Sequence, residues 1–238
     1  MQLATKTVGS GPRTAALVHG ASASTEIWRD FAAILADEYG YTVTLVDLRG
    51  HGDSPRGERY RATDFADDLV DTLPIGLDVL AGQSLGGRAV MLAAPRLLPK
   101  RLIPFDPGLY ASKPAELALR YLSGPIRHLP ERVHRLMGVP PKGSAPDAYE
   151  CRRSAWAKWD PTMMKDLVGS VKTEPYVIGP PAVPSTLLIA EKSFVVPPWA
   201  VDELRKQGWE VRVKPDSVHD LHLQDPAGCA RLLDDVLR

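Results

Sequence analysis

Cysteine is nearly absent: Cys151 and Cys229 are the only two among 238 residues, and they lie far apart. That scarcity excludes a disulfide framework and fits two reduced thiols. An excess of charge is missing as well. Lys plus Arg and Asp plus Glu both total 29, so no overall field attracts a polyanion, and neither nucleic acid nor an anionic membrane is expected as a partner. No apolar run reaches the roughly 20 residues that span a bilayer. The opening Met1-Gln2-Leu3-Ala4-Thr5-Lys6 lacks the apolar centre of a secretory signal, so a soluble, cytoplasmic protein is expected. There is no H-E-x-x-H, no paired C-x-x-C, no dense carboxylate cluster and no glycine-rich phosphate loop. No metal and no cofactor are therefore expected.

What is present is length enough for one sizeable core and a repeated alternation of short apolar runs with helical periodicity. Residues 2–8 can form an edge strand, and 14–18, 42–46, 77–81 and 101–105 read as further strands. Between them, 21–39, a segment from Thr63, and 85–94 space their apolar residues for one helical face. The alternation predicts an α/β fold, with a mostly parallel central sheet flanked by helices. It breaks after Asp106. From Pro107 to about Val183 the spacing predicts helices near 115–122, 130–137 and 148–171, with 11 basic and 7 acidic residues. A small surplus of that kind is more often a solvated helical surface than an anion-recruiting one. Strands at 185–190 and 209–213, helices at 197–207 and 226–237, and a loop at 215–222 resume the pattern. The expected organisation is a core of residues 1–106 and 184–238 with an inserted helical cap, 107–183.

The centre of the chain is Gly82-Gln83-Ser84-Leu85-Gly86. A sharp strand-to-helix turn needs unusual backbone angles and close backbone contact, which accounts for glycine two positions either side of the serine. The hydroxyl then stands at the positive end of a helix. A serine is a poor nucleophile without a base. Among six histidines, His219 is best placed, in a loop at the same end of the sheet. His222 reads as structural, His19 and His51 sit in glycine-flanked turns, and His128 and His134 read as surface residues of the cap. The group that orients His219 is expected to be Asp106, after the strand 101–105, with Glu191 and Asp216 as rivals. Asp220 is too close to His219 in sequence to turn onto its ring. Oxyanion donors are expected from the backbone N–H groups of Leu85 and Ala21, with Ser22 as a substitute for the latter.

With those residues in place, the chain resembles the α/β-hydrolase family. The likeness is carried by Leu17-Val18-His19-Gly20, Asp47-Leu48-Arg49-Gly50-His51-Gly52-Asp53-Ser54, Gly82-Gln83-Ser84-Leu85-Gly86-Gly87 and Val218-His219-Asp220-Leu221-His222-Leu223, in that order. The resemblance implies Ser84 as nucleophile, His219 as base, and a lid over the substrate pocket. Trp28 is similar to a position near that pocket, and Trp156, Trp159 and Phe194 are further pocket candidates. Two departures stand out. There is room for one strand, not a hairpin, before the His-Gly strand. The aspartate that relatives commonly carry after the strand 185–190 is Ser193 here, while Asp106 occupies the slot some members use instead. The implied activity is hydrolysis of a small-molecule carboxylic ester, lactone or thioester through an acyl-enzyme. Carbon–carbon bond hydrolysis, non-hydrolytic acyl chemistry and ligand binding without turnover are the alternatives, in a monomer or homodimer.

Overall fold

The computed structural model describes residues 1–109, 148–163, 165–167 and 179–238. Seven strands form one sheet: β1 (Thr5–Val8), β2 (Arg13–Val18), β3 (Tyr41–Val46), β4 (Val79–Gln83), β5 (Arg101–Phe105), β6 (Thr186–Lys192) and β7 (Glu210–Val218), in the order β1-β3-β2-β4-β5-β6-β7. Only β1 runs antiparallel, against β3. The single strand before the His-Gly turn therefore caps the sheet edge alone, as the short N-terminal run predicts.

Why the inner strands read as unbroken apolar runs is plain from their two faces. Ala16 and Val18 of β2 and Leu80 of β4 point into one cluster, with α2 (Ala62–Thr72), α3 (Leu85–Leu97) and α5 (Pro198–Lys206). Ala15, Leu17, Val79 and Ala81 point into the other, with α1 (Arg29–Tyr39), α7 (Pro226–Leu232) and α8 (Asp234–Leu237). A parallel sheet covered on both sides leaves no polar face to alternate with.

Several expected boundaries change. The helix expected over 21–39 is split into a 3₁₀ turn, Thr25–Trp28, and α1, with Ser24 accepting the Glu26 N–H at 3.4 Å. The helix expected over 148–171 stops as α4 (Ala148–Trp156), and turns follow before a short helical stretch at 163 and 165–167. β7 continues through Pro215 to Val218, past the expected strand end, because a register shift against β6 lets Val218 pair with Lys192. A bulge of this kind on an edge strand tolerates proline. The last helix breaks at Leu233, and a one-turn helix α6 (Leu221–Gln224) precedes it. The cap helices expected at 115–122 and 130–137, together with His128 and His134, lie outside the described residues.

The segment after α4 docks on the loop that follows β3. Asp160 donates its N–H to the Gly50 carbonyl at 2.7 Å and accepts from the Tyr60 hydroxyl at 2.8 Å. Trp159 stacks on His51 with centroids 6.4 Å apart. The loop is itself fixed by Asp47, whose carboxylate accepts from Thr25 N–H at 2.8 Å and Asp53 N–H at 3.1 Å. Arg49 grips Asp68 of α2 with two hydrogen bonds, 2.5 and 2.7 Å. Most of the Asp47-to-Ser54 motif is thus scaffold.

Candidate active site

Ser84 lies between β4 and α3, half-buried, with φ 52° and ψ −113°. Such angles cost a non-glycine residue about 1–3 kcal/mol and persist only where neighbours impose them. The neighbours here are backbone. Ser84 N–H donates to the Phe105 carbonyl at 3.0 Å, and its carbonyl accepts from Gly108 and Arg88 N–H at 2.9 and 3.0 Å. The flanking glycines make room. A Cβ on Gly82 would stand 2.5 Å from the Gly86 carbonyl oxygen, and one on Gly86 would stand 2.4 Å from the carbonyl oxygens of Val18 and His19. Helix α3 therefore approaches β2 as closely as two backbones allow.

Asp106 follows β5 at φ 39°, and Ser22 follows the His-Gly turn at φ 56°. Three of the five non-glycine residues with positive φ among the described residues, Ser22, Ser84 and Asp106, thus lie at the carboxyl ends of neighbouring strands β2, β4 and β5. The Asp106 N–H donates to Leu188 O at 2.8 Å, and Oδ1 accepts from Ala190 N–H at 3.4 Å. The other carboxylate oxygen, Oδ2, is 2.6 Å from His219 Nδ1. Both side chains are buried, at 0% and 4% exposure. The ring of Phe194 lies 4.4 Å from that of His219, centroid to centroid.

The rival carboxylates are elsewhere. Glu191 is exposed and accepts the N–H of Asp216 at 3.0 Å, and Asp216 is exposed too. Ser193 closes a local turn, its hydroxyl accepting from Val195 and Val196 N–H at 3.2 and 2.9 Å. Asp220 is bound by Arg152 of α4 and by Gln83 Nε2, at 3.2 Å for the latter. Burial opposes its charge, yet Arg152 outweighs that, with smaller help from His219, and keeps the carboxyl below its ordinary range.

His19, His51 and His222, the other histidines among the described residues, are engaged in packing or backbone hydrogen bonds. His19 Nε2 accepts Leu48 N–H at 3.0 Å, while Nδ1 donates to Gly20 O at 2.7 Å. His51 Nε2 accepts Ser22 N–H at 3.1 Å, and Nδ1 donates to Arg49 O at 3.0 Å. Ser22 has therefore committed its N–H to a ring, so of the two loop N–H groups expected as oxyanion donors it is the one already engaged. His222 packs 4.0 Å from Trp28. Burial pushes His19 down to about 4, and His51 and His222 down to about 3.

Of the pocket candidates, Trp28 is fully buried against Phe31, Phe105 and His222, as a core residue. Trp159 and Met163 belong to the opposite cluster and Trp156 packs on it half-buried. Phe194 reaches the His219 ring. Arg152, Asp220 and Gln83 are the site neighbours that sequence reasoning did not bring together. A signal existed: Arg152 falls three and seven positions before the apolar Ala155 and Trp159. Among the described residues no group of three or more His, Cys, Asp or Glu could hold a metal ion, and no helix is long and apolar enough to cross a membrane.

A curated relative, the 2-(acetamidomethylene)succinate hydrolase of Mesorhizobium japonicum (strain LMG 29417 / CECT 9101 / MAFF 303099), is 39% identical over 90 residues, covering 36% of this chain and 31% of that protein. The match thus spans about a third of the relative's length. An enol-lactonase from Burkholderia xenovorans LB400 superposes with a TM-score of 0.79 at 16% identity, over 99% of this chain and 96% of the other. A thermophilic esterase from Thermogutta terrifontis gives 0.73 at 22%, over 99% and 93%. At such identities the likeness is one of fold. The alpha/beta hydrolase family model, however, matches residues 16–232. Because that match runs from β2 to the end of α7 and takes in Ser84, Asp106 and His219, the chain belongs to the alpha/beta hydrolase family.

Proposed function

We propose that the protein is a serine hydrolase that cleaves a small-molecule carboxylic ester, lactone or thioester through an acyl-enzyme. Ser84 attacks the carbonyl. His219 takes the hydroxyl proton through Nε2 and returns it to the leaving group, and Asp106 fixes the Nδ1–H tautomer and stabilises the imidazolium. The N–H groups of Leu85, first in α3, and of Ala21 receive the oxyanion. Water then attacks the acyl-enzyme with His219 again as base, which releases the acid and restores Ser84.

The observation that carries this reading is the 2.6 Å bond between the buried Asp106 and His219 Nδ1. A carboxylate held there has the tautomer-fixing geometry, while the sheet aligns Ser84 at the end of the adjoining strand. Phe194, with its ring 4.4 Å from that of His219, is expected to form an apolar wall beside the base. A panel of small esters, lactones and thioesters assayed with wild type and Ser84→Ala tests it. Turnover lost in Ser84→Ala is expected; a folded wild type inert on the whole panel, or equal turnover by the variant, contradicts the reading.

A further inference from the structure

We infer that Arg152 is a positioning residue for this site: from α4 it holds the Ala21 carbonyl and the Asp220 carboxylate, and through them the oxyanion loop and the His219 loop. The role rests on the serine-hydrolase reading above. Arg152 is 1% exposed, and arginine is almost never so buried unless paired. Its Nη2 donates to Asp220 Oδ1 and its Nη1 donates to Ala21 O at 3.4 Å. Asp220 Oδ1 also accepts Gln83 Nε2 at 3.2 Å, and that amide lies 3.3 Å from the His219 carbonyl. Gln83 precedes Ser84 and Asp220 follows His219. One carboxylate therefore ties the residue beside the nucleophile, the residue beside the base, and a helix that belongs to neither loop.

The second contact is the more telling. The Ala21 carbonyl and the Ser22 N–H belong to the same peptide unit. Arg152 holds its oxygen, and His51 Nε2 holds its N–H at 3.1 Å. A peptide gripped at both polar atoms cannot rotate, and the grip sustains the positive φ of 56° at Ser22. The unit upstream, which carries the Ala21 N–H, is held at its Gly20 oxygen by His19 Nδ1 at 2.7 Å, so with Arg152 fixing the next unit the donor keeps its direction before substrate arrives, which is what an oxyanion donor requires. Stability gives no sufficient reason for the pair, since apolar groups of similar volume commonly serve a buried site as well.

Melting temperature, kcat, KM and the rate of fluorophosphonate labelling of Ser84 are to be compared for wild type, Arg152→Met, Arg152→Lys and the double variant Arg152→Met with Asp220→Asn. Arg152→Met strands a buried carboxylate and is expected to melt early. The double variant removes both charges and is expected to regain the melting temperature. Its kcat and labelling rate should nonetheless stay down by roughly 10²-fold, with KM changed far less, because the loops are no longer held. Arg152→Lys keeps the charges balanced but lacks the planar fork, and should lose kcat by roughly tenfold. Wild-type kcat in either folded variant overturns the positioning role, and the lysine variant decides should the double variant not fold. A wild type that neither labels nor turns over any ester overturns the underlying reading as well, which is a distinguishable result.

Discussion

Asp106 and His219 stand 113 residues apart in sequence and 2.6 Å apart at Oδ2 and Nδ1. Sheet order explains the meeting. β5 carries Asp106 at its end, β6 lies beside it, and the chain after β7 turns back over both. The carboxylate is aimed by Ala190 N–H on one oxygen and occupied by His219 on the other.

Asp106→Asn should lower kcat by about 10³- to 10⁴-fold, because an amide that donates to Nδ1 selects the wrong tautomer. Glu191→Gln should change it less than about threefold, since Glu191 is exposed and its carboxylate accepts the Asp216 N–H, which a glutamine oxygen can also accept. Steady-state kinetics on one ester rank the two, and the reverse ranking would move the acid to β6.

Gly86→Ala should destabilise the fold by about 1–3 kcal/mol or more, because its Cβ would meet two backbone oxygens at 2.4 Å and neither can swing away. Gly179→Ala, with nothing among the described residues within 4 Å of the added Cβ, should stay within about 0.5 kcal/mol. Urea midpoints separate them. An undisturbed Gly86→Ala would contradict the close approach of α3 to β2.

Stability should fall on mild acidification. His19, His51 and His222 are held down to about 4, 3 and 3, chiefly by burial, against 6.5 for an ordinary histidine. Between those values the unfolded chain binds more protons than the folded one, so stability rises with pH. It is fully present above about pH 7 and declines as the pH drops through 6 toward 4, by about 2 kcal/mol per histidine at pH 5. Protonation of His51 also removes the acceptor for Ser22 N–H. Urea unfolding at pH 7, 6 and 5 should show the decline, and a flat midpoint would contradict neutral burial of these rings.

The strands along the chain, the serine turn and the positions of Asp106 and His219 after their strands were legible because each leaves a local mark: an apolar run, a pair of glycines, a polar residue at a strand end. Glu191 and Asp216 could be weighed only as rivals, since solvent exposure has no sequence signature at a strand terminus. Trp28 illustrates the converse limit. Its position after the His-Gly turn suggests a pocket wall, yet packing with Phe31, Phe105 and His222 buries it in the core. The Arg152–Asp220 pair was hidden for a different reason. It depends on how α4 seats against two distant loops, and a helical period fixes a face without naming its neighbour. The continuous helix read over 148–171 failed likewise at Trp156, where tertiary docking through Asp160 and Tyr60 replaces helical hydrogen bonds.

Covalent labelling tests the central claim most directly. A fluorophosphonate incubated with the folded protein, followed by peptide mass spectrometry, should place one phosphonyl group on Ser84, with labelling abolished in Ser84→Ala and slowed in Asp106→Asn. A folded wild type that takes up no label at Ser84, or takes it up equally fast when Asp106 is asparagine, would contradict the account.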